Sequence, residues 1–130
     1  MRLLLLSNAK REGSAYLEWA LPHFSDFFKT AGVSRIVFVP FAGVTTEPDA
    51  YIEKVRPAFA QLGIQVEGVQ QFADPVAAVH AAHAVVVGGG STWKLLRDVR
   101  GLRLLRAIRQ RALNGMPYAG WSAGANLACP

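Results

Sequence analysis

Three runs of consecutive apolar residues restrict this chain more than any other feature: Leu3-Leu4-Leu5-Leu6, Ile36-Val37-Phe38-Val39 and Ala84-Val85-Val86-Val87. A strand with one face in water alternates apolar and polar residues. A run without alternation reads as covered on both faces, which points to a parallel sheet. Each run stops at residues that end strands: Ser7-Asn8, Pro40 and Gly88. Helical patterns fill the gaps. Leu17, Ala20, Leu21, Phe24 and Phe28 recur at three- and four-residue spacing, with Ser14 as expected N-cap, Pro22 as a kink and Gly32 at the end. Tyr51, Ile52, Val55, Phe59 and Leu62 form a second pattern, with Pro48 in its first turn, Pro57 as an expected kink or break and Gly63 after it. Residues Ile64 to Val69 alternate, as expected for a strand with one face less buried. Asp74 and Pro75 open a third helix, expected to reach Ala82. Alternating strands and helices predict one α/β domain over 1–130, a mainly parallel sheet flanked by helices.

The apolar fraction of 52% supplies a core for 130 residues, one domain or part of one. No apolar run approaches the ~20 residues that span a bilayer, and Leu3 to Leu6 are too few for a signal peptide. The expectation is a cytoplasmic protein without a membrane partner. One cysteine, Cys129, leaves no internal disulfide, and no Cys/His cluster has metal-ligand spacing. No metal or cofactor is expected. The formal charge of +5 draws on Arg97, Arg100, Arg103, Arg106, Arg109 and Arg111. Leu102, Leu105, Ile108 and Ala112 interleave with several of them at helical spacing, giving an amphipathic helix from Leu102 to Leu113 with a basic outer face. That face reads as solvated surface or as a docking face for acidic partners. No aromatic residues interleave and no nucleic-acid motif accompanies it, so no nucleic-acid partner is expected.

Near the end stands Gly120-Trp121-Ser122-Ala123-Gly124. Met116-Pro117-Tyr118-Ala119 before it reads as a short buried strand, and Ala125 to Ala128 after it can begin a helix. Strand, Gly-x-Ser-x-Gly, helix is the pattern of a nucleophile elbow, in which small residues permit a tight turn that lifts the serine clear of the sheet. Gly88-Gly89-Gly90-Ser91-Thr92 leaves the preceding strand, and fits neither a Walker loop nor a dinucleotide fingerprint. Beside a serine its free N–H groups suit an oxyanion hole, with Gly90 first, Gly89 second, and the Ala123 N–H completing it. In parallel sheets the ligand crevice lies beyond the carboxyl ends of the strands. The loops at Ser7-Asn8 and Phe41 to Glu47 therefore border Ser122, with Asn8, Thr45 and Glu47 as substrate-side residues. The general base is the gap. His80 and His83 precede the fourth strand, roughly 13 Å below the crevice at the rise of a strand. His23, counted from a helix beginning near Ser14, lies about equally far down.

The stretches Leu3 to Asn8, Pro40-Phe41-Ala42-Gly43-Val44-Thr45, Ala73-Asp74-Pro75, Val87-Gly88-Gly89-Gly90 and Gly120 to Pro130 resemble the S51 serine peptidases of the peptidase E, or α-aspartyl dipeptidase, type. The resemblance covers the entire chain. It implies a fold like the class I glutamine amidotransferases, a flavodoxin-like three-layer arrangement here incomplete. It implies hydrolysis of dipeptides with an N-terminal aspartate, without metal or cofactor, and places the nucleophile at Ser122. Such proteins continue beyond the elbow, so 1–130 corresponds to the N-terminal part of the domain. The catalytic histidine and its acid are then expected elsewhere, in the remainder of the polypeptide as a second chain, with homo-oligomer formation as the other partner expectation. Two further readings stay open: an inactive remnant of that fold, and a binding module using the basic helix face. Without later strands the elbow strand is expected to present an apolar edge.

Overall fold

The computed structural model describes residues 1–129. Five strands form one sheet: β1 (Leu3–Leu6), β2 (Arg35–Val39), β3 (Gln65–Gly68), β4 (Val85–Val87) and β5 (Tyr118–Trp121), in the order β1-β5-β4-β2-β3. Every pairing is parallel. Six α-helices cover it: α1 (Leu21–Ala31), α2 (Pro48–Ala60), α3 (Pro75–Ala81), α4 (Thr92–Gly101), α5 (Leu104–Leu113) and α6 (Ala123–Leu127).

The two faces follow from the direction in which the chain crosses the sheet. From β1 to β2 to β3 it advances toward one edge, and α1 and α2 pack on one face. There Phe24, Phe28, Ile52, Val55 and Phe59 meet Ile36, Phe38, Val86 and Trp121. From β3 to β4 to β5 it returns, and α3, α4 and α5 pack on the other face. There Val79, Leu95, Val99, Leu104 and Ile108 meet Val37, Val39, Val85 and Val87. Parallel crossovers keep one hand, so reversing direction exchanges the face. Loops leaving β2 and β4 consequently diverge to opposite faces, opening a crevice beside β5.

Several local expectations are corrected. Ser14 caps no helix: α1 begins at Leu21, after Leu17 turns left-handed at φ 65° and Glu18–Ala20 form a single 3₁₀ turn. Pro22 therefore sits in the first turn of α1, where its missing N–H costs nothing, and produces no kink. Pro57 does not break α2, which runs on to Ala60; the proline stands on its exposed side near the end. The last helix starts at Ala123 rather than Ala125, and the arginine helix at Leu104 because Arg103 turns left-handed at φ 62°. The third helix ends at Ala81, with Asp74 capping it through the Ala77 N–H at 3.1 Å.

The strand before the elbow is Tyr118–Trp121 rather than Met116–Ala119, and it has no free edge. It lies between β1 and β4, with Ala119 opposite both Leu4 and Val86. The edge strands are β1 and β3, and β1 is the one that pairs with the elbow strand. Leu4 and Leu6 point to the aromatic core, whereas Leu3 and Leu5 are 40% and 41% exposed on the other face. The four-leucine run is thus covered on one face only. Beside it an open apolar groove of about 580 Å³ runs past Leu3, Leu105, Ile108, Leu113, Tyr118 and Leu127.

An unpaired edge carrying exposed leucines is a template for association. The purified 130-residue chain is expected to self-associate at micromolar concentration, and Leu3→Lys with Leu5→Lys is expected to shift it to monomer in sedimentation. A monodisperse wild-type monomer overturns the expectation.

Candidate active site

β5 ends in main chain packed on main chain. A Cβ on Gly120 would stand 2.5 Å from the Gly124 carbonyl oxygen, and one on Gly124 would overlap the Val87 carbonyl. Only glycine lets α6 lie directly on β4 and β5. The turn between is Ser122, at φ 53° and ψ −115°. A side chain in such a region costs about 1–3 kcal/mol. The fold holds it there through its N–H, which donates to the Leu6 carbonyl at 2.9 Å, and its carbonyl, which accepts from the Asn126 N–H at 3.0 Å. Below, the buried Tyr118 hydroxyl donates to the Gly124 carbonyl at 2.6 Å. Burial raises the Tyr118 phenol, and the nearby Cys129 thiol adds to the rise.

The Gly88–Gly90 turn lies against this elbow. A Cβ on Gly89 would come within 2.8 Å of the Ser122 Cβ, so the two backbones approach closely. Gly90 has φ 142°, a conformation open to glycine, and any side chain there would overlap the Ala42 carbonyl. The next N–H, of Ser91, donates to that carbonyl at 2.8 Å, and the Ser91 hydroxyl caps α4 through the Lys94 N–H at 3.2 Å. Lys94 Nζ then donates to the Phe41 carbonyl at 2.6 Å and to Asp98 at 3.1 Å. Burial opposes ionisation of Asp98, but the hydrogen bonds and charges of Lys94 and Arg97 outweigh it and hold the carboxyl below its ordinary range. The loops after β2 and β4 are thereby tied together. The Gly89 and Gly90 N–H groups have no acceptor among the described residues. Ala123, first in α6, likewise has no intrahelical acceptor for its N–H.

The structure brings together Ser122, Gly89, Gly90, Ala123, Gly120 and Gly124. Asn8, Thr45 and Glu47 are exposed in the loops after β1 and β2, at the crevice end but without a hydrogen bond to Ser122. The helical count that put His23 deep below the crevice is corrected, because His23 is the third residue of α1. Its exposed ring stands edge-on to Trp19, centroids 6.1 Å apart. His80 and His83 are exposed too, His80 in the last turn of α3 and His83 just before β4. Ser122 has no side-chain capping bond. Among the described residues no three His, Cys, Asp or Glu side chains group as a metal site. None of the helices is long and apolar enough to cross a membrane.

Sequence reasoning missed the aromatic cluster beneath the site. Tyr16, Tyr51 and Trp121 join through hydrogen bonds, and Tyr51 donates to the Gly89 carbonyl at 3.0 Å. Tyr51 fell among the apolar positions of a helix, where nothing marks its hydroxyl as the working group.

Two measurements follow from this geometry. At an ordinary position alanine is more stable than glycine by about 0.5–1 kcal/mol. At Ser122 the order is expected to reverse, Ser122→Gly exceeding Ser122→Ala by about 1 kcal/mol in urea unfolding, because only glycine relieves the turn. Equal or inverted stabilities sink the strain argument. Burial also raises Tyr16 and Tyr51, so the folded chain keeps phenolic protons that the unfolded chain sheds near pH 10. Their contribution to stability is expected to be fully present below that pH and to be lost as pH rises above it. A denaturation midpoint unchanged between pH 9 and pH 11 would contradict this, both values being on the scale set by the ordinary phenol.

The sequence pattern of peptidase family S51 matches residues 3–130. The chain is 48% identical over 130 residues to the peptidase E of Salmonella typhi, and 47% to that of Salmonella newport, covering 100% of this chain and 56% of each relative. It therefore spans little more than half the length of the curated relatives it matches. Among solved structures, a Listeria monocytogenes protein provisionally assigned as a peptidase E superposes with TM-score 0.72 at 25% identity, over 95% of this chain and 59% of that one. A peptidase from an acI-B1 Actinobacterium shares the fold, with TM-score 0.74 at 20% identity, over 95% of this chain and 54% of that one. A family match running through the glycine turn and the serine elbow is decisive: the chain belongs to peptidase family S51.

Proposed function

We propose that this chain carries the nucleophile and oxyanion-binding part of a serine peptidase that cleaves dipeptides with an N-terminal aspartate. The observation that carries the reading is Ser122 on a strained turn beside backbone N–H groups that lack acceptors. Ser122 Oγ attacks the peptide carbonyl carbon, and its proton passes to a general base. The negative oxygen of the tetrahedral intermediate is received by the Gly90 and Ala123 N–H groups, with Gly89 as the alternate donor. The base returns the proton to the leaving amine, and water then hydrolyses the acyl-enzyme by the same route in reverse. Gly120 and Gly124 shape the elbow, and Asn8, Thr45 and Glu47 border the substrate. No metal or cofactor takes part in this scheme.

The general base is a histidine that these residues do not bring to Ser122. The proposal places it in a further polypeptide segment, with a second copy of the chain as the alternative source. Cytoplasmic location belongs to the same proposal, as does the preference for aspartate, which rests on the relatives being peptidase E. A second reading is favoured by one observation, the outward placement of all three histidines: in isolation the 130 residues keep the fold and an idle serine. The basic helix gives weaker support to a binding module, since part of its charge is used internally. Arg111 donates to the Ala82 carbonyl at 2.7 Å.

Intact mass paired with Asp-Leu hydrolysis separates these readings. Turnover abolished by Ser122→Ala, in a preparation that contains a longer or second chain, supports the peptidase. A chain near 14.1 kDa without turnover supports the idle serine. Undiminished turnover in Ser122→Ala overturns the assignment.

A further inference from the structure

The elbow and the Gly88–Gly90 turn are joined by a chain of hydroxyl groups whose direction can be worked out. Tyr51 donates its single proton to the Gly89 carbonyl at 3.0 Å. The 2.8 Å contact between the Tyr16 and Tyr51 hydroxyls must then take its proton from Tyr16. Tyr16 in turn accepts the Trp121 indole N–H at 3.0 Å, with the same N–H 3.3 Å from the Tyr51 oxygen. The order is Trp121 to Tyr16 to Tyr51 to Gly89, each donor polarising the next. Aromatic packing fixes the members: Phe38 stacks on Trp121 with centroids 5.7 Å apart and meets Tyr51 edge-on at 5.2 Å. Burial raises both phenols, so the chain keeps its protons at neutral pH.

A trans peptide points its carbonyl and the following N–H in opposite directions. Tyr51 draws the Gly89 carbonyl into the aromatic core, so the Gly90 N–H faces the other way, on the exposed side. That peptide joins two glycines and has no side chain to hold it. We propose that Tyr51, backed by Tyr16, is a positioning residue that locks the Gly89–Gly90 peptide with its donor outward, and that Trp121 couples this lock to the turn carrying Ser122. The catalytic consequence rests on the peptidase reading; the lock itself does not.

Tyr51→Phe keeps the ring and removes the hydroxyl. In the isotope-labelled 130-residue chain carrying Leu3→Lys and Leu5→Lys to keep it monomeric, it is expected to move the Gly89 carbonyl-carbon resonance and to broaden or double the Gly90 amide signal, leaving the amides of α3 in place. Tyr16→Phe is expected to act in the same sense and more weakly, and serves if Tyr51→Phe does not fold. Unmoved Gly89 and Gly90 resonances in a folded variant overturn the proposal. In any preparation that hydrolyses Asp-Leu, Tyr51→Phe is expected to lower kcat roughly 10- to 100-fold with KM within about twofold. Unchanged kcat overturns the catalytic consequence. Absence of turnover in the wild type bears on the peptidase reading alone, since the resonances still decide whether the lock exists.

Discussion

Contact between α6 and the backbone of β4 and β5 is the constraint on which the rest depends. It exists because two positions in one pentapeptide carry no Cβ, and the Gly124 position already touches the Val87 carbonyl. With the helix so close, the connecting residue has no room to turn in an ordinary conformation, and Ser122 takes a positive φ. The side chain is presented at the rim by the same closeness that strains its backbone. Bonds from Ser122 to Leu6 on the neighbouring strand and from Tyr118 on β5 to Gly124 hold the arrangement. The fold's interior thus supplies the energy that keeps an unfavourable turn in place.

Much of the architecture was legible because apolar runs report burial directly. Val85, Val86 and Val87 are fully buried, and β4 occupies the centre of the sheet. Strand order was not legible, since alternation of strands and helices says nothing about which strands adjoin. That is why β5 was expected at an edge and is found between β1 and β4. The Leu3-Leu4-Leu5-Leu6 run shows the limit of the rule: hydrophobicity marks what a residue tolerates, and Leu3 and Leu5 remain half-exposed. Ser14 had the chemistry of a cap, but the left-handed turn at Leu17 delayed the helix. At the site, glycines and serine were readable from spacing because steric need leaves a local pattern. The contacts of Tyr16, Tyr51 and Trp121 join distant positions and leave none.

Charge is similarly redistributed by the fold. Arginines that read as one outward stripe divide between roles. Arg111 folds back to the carbonyl that follows α3, and Arg97 lies over the exposed Trp93 ring at 5.1 Å while pairing with Asp98. Lys94 reaches down to the loop after β2. Lys94 therefore ties α4 to the loop after β2, on the face of the sheet opposite the aromatic cluster.

The pairing of β1 with β5 has a consequence for how the chain is made. Leu3 to Leu6 are made well before Tyr118 to Trp121, their sheet partner among the described residues. Until that segment emerges β1 lacks this partner, whereas β2, β3 and β4 can already pair with one another. Closing so long a loop is slow compared with local folding. Within these residues the nucleophile turn and β1 then settle together and late, with Ser122 anchored to Leu6 in that same step. While the residues between are made the four leucines wait without that partner, as the kind of transiently exposed apolar edge that invites misassociation.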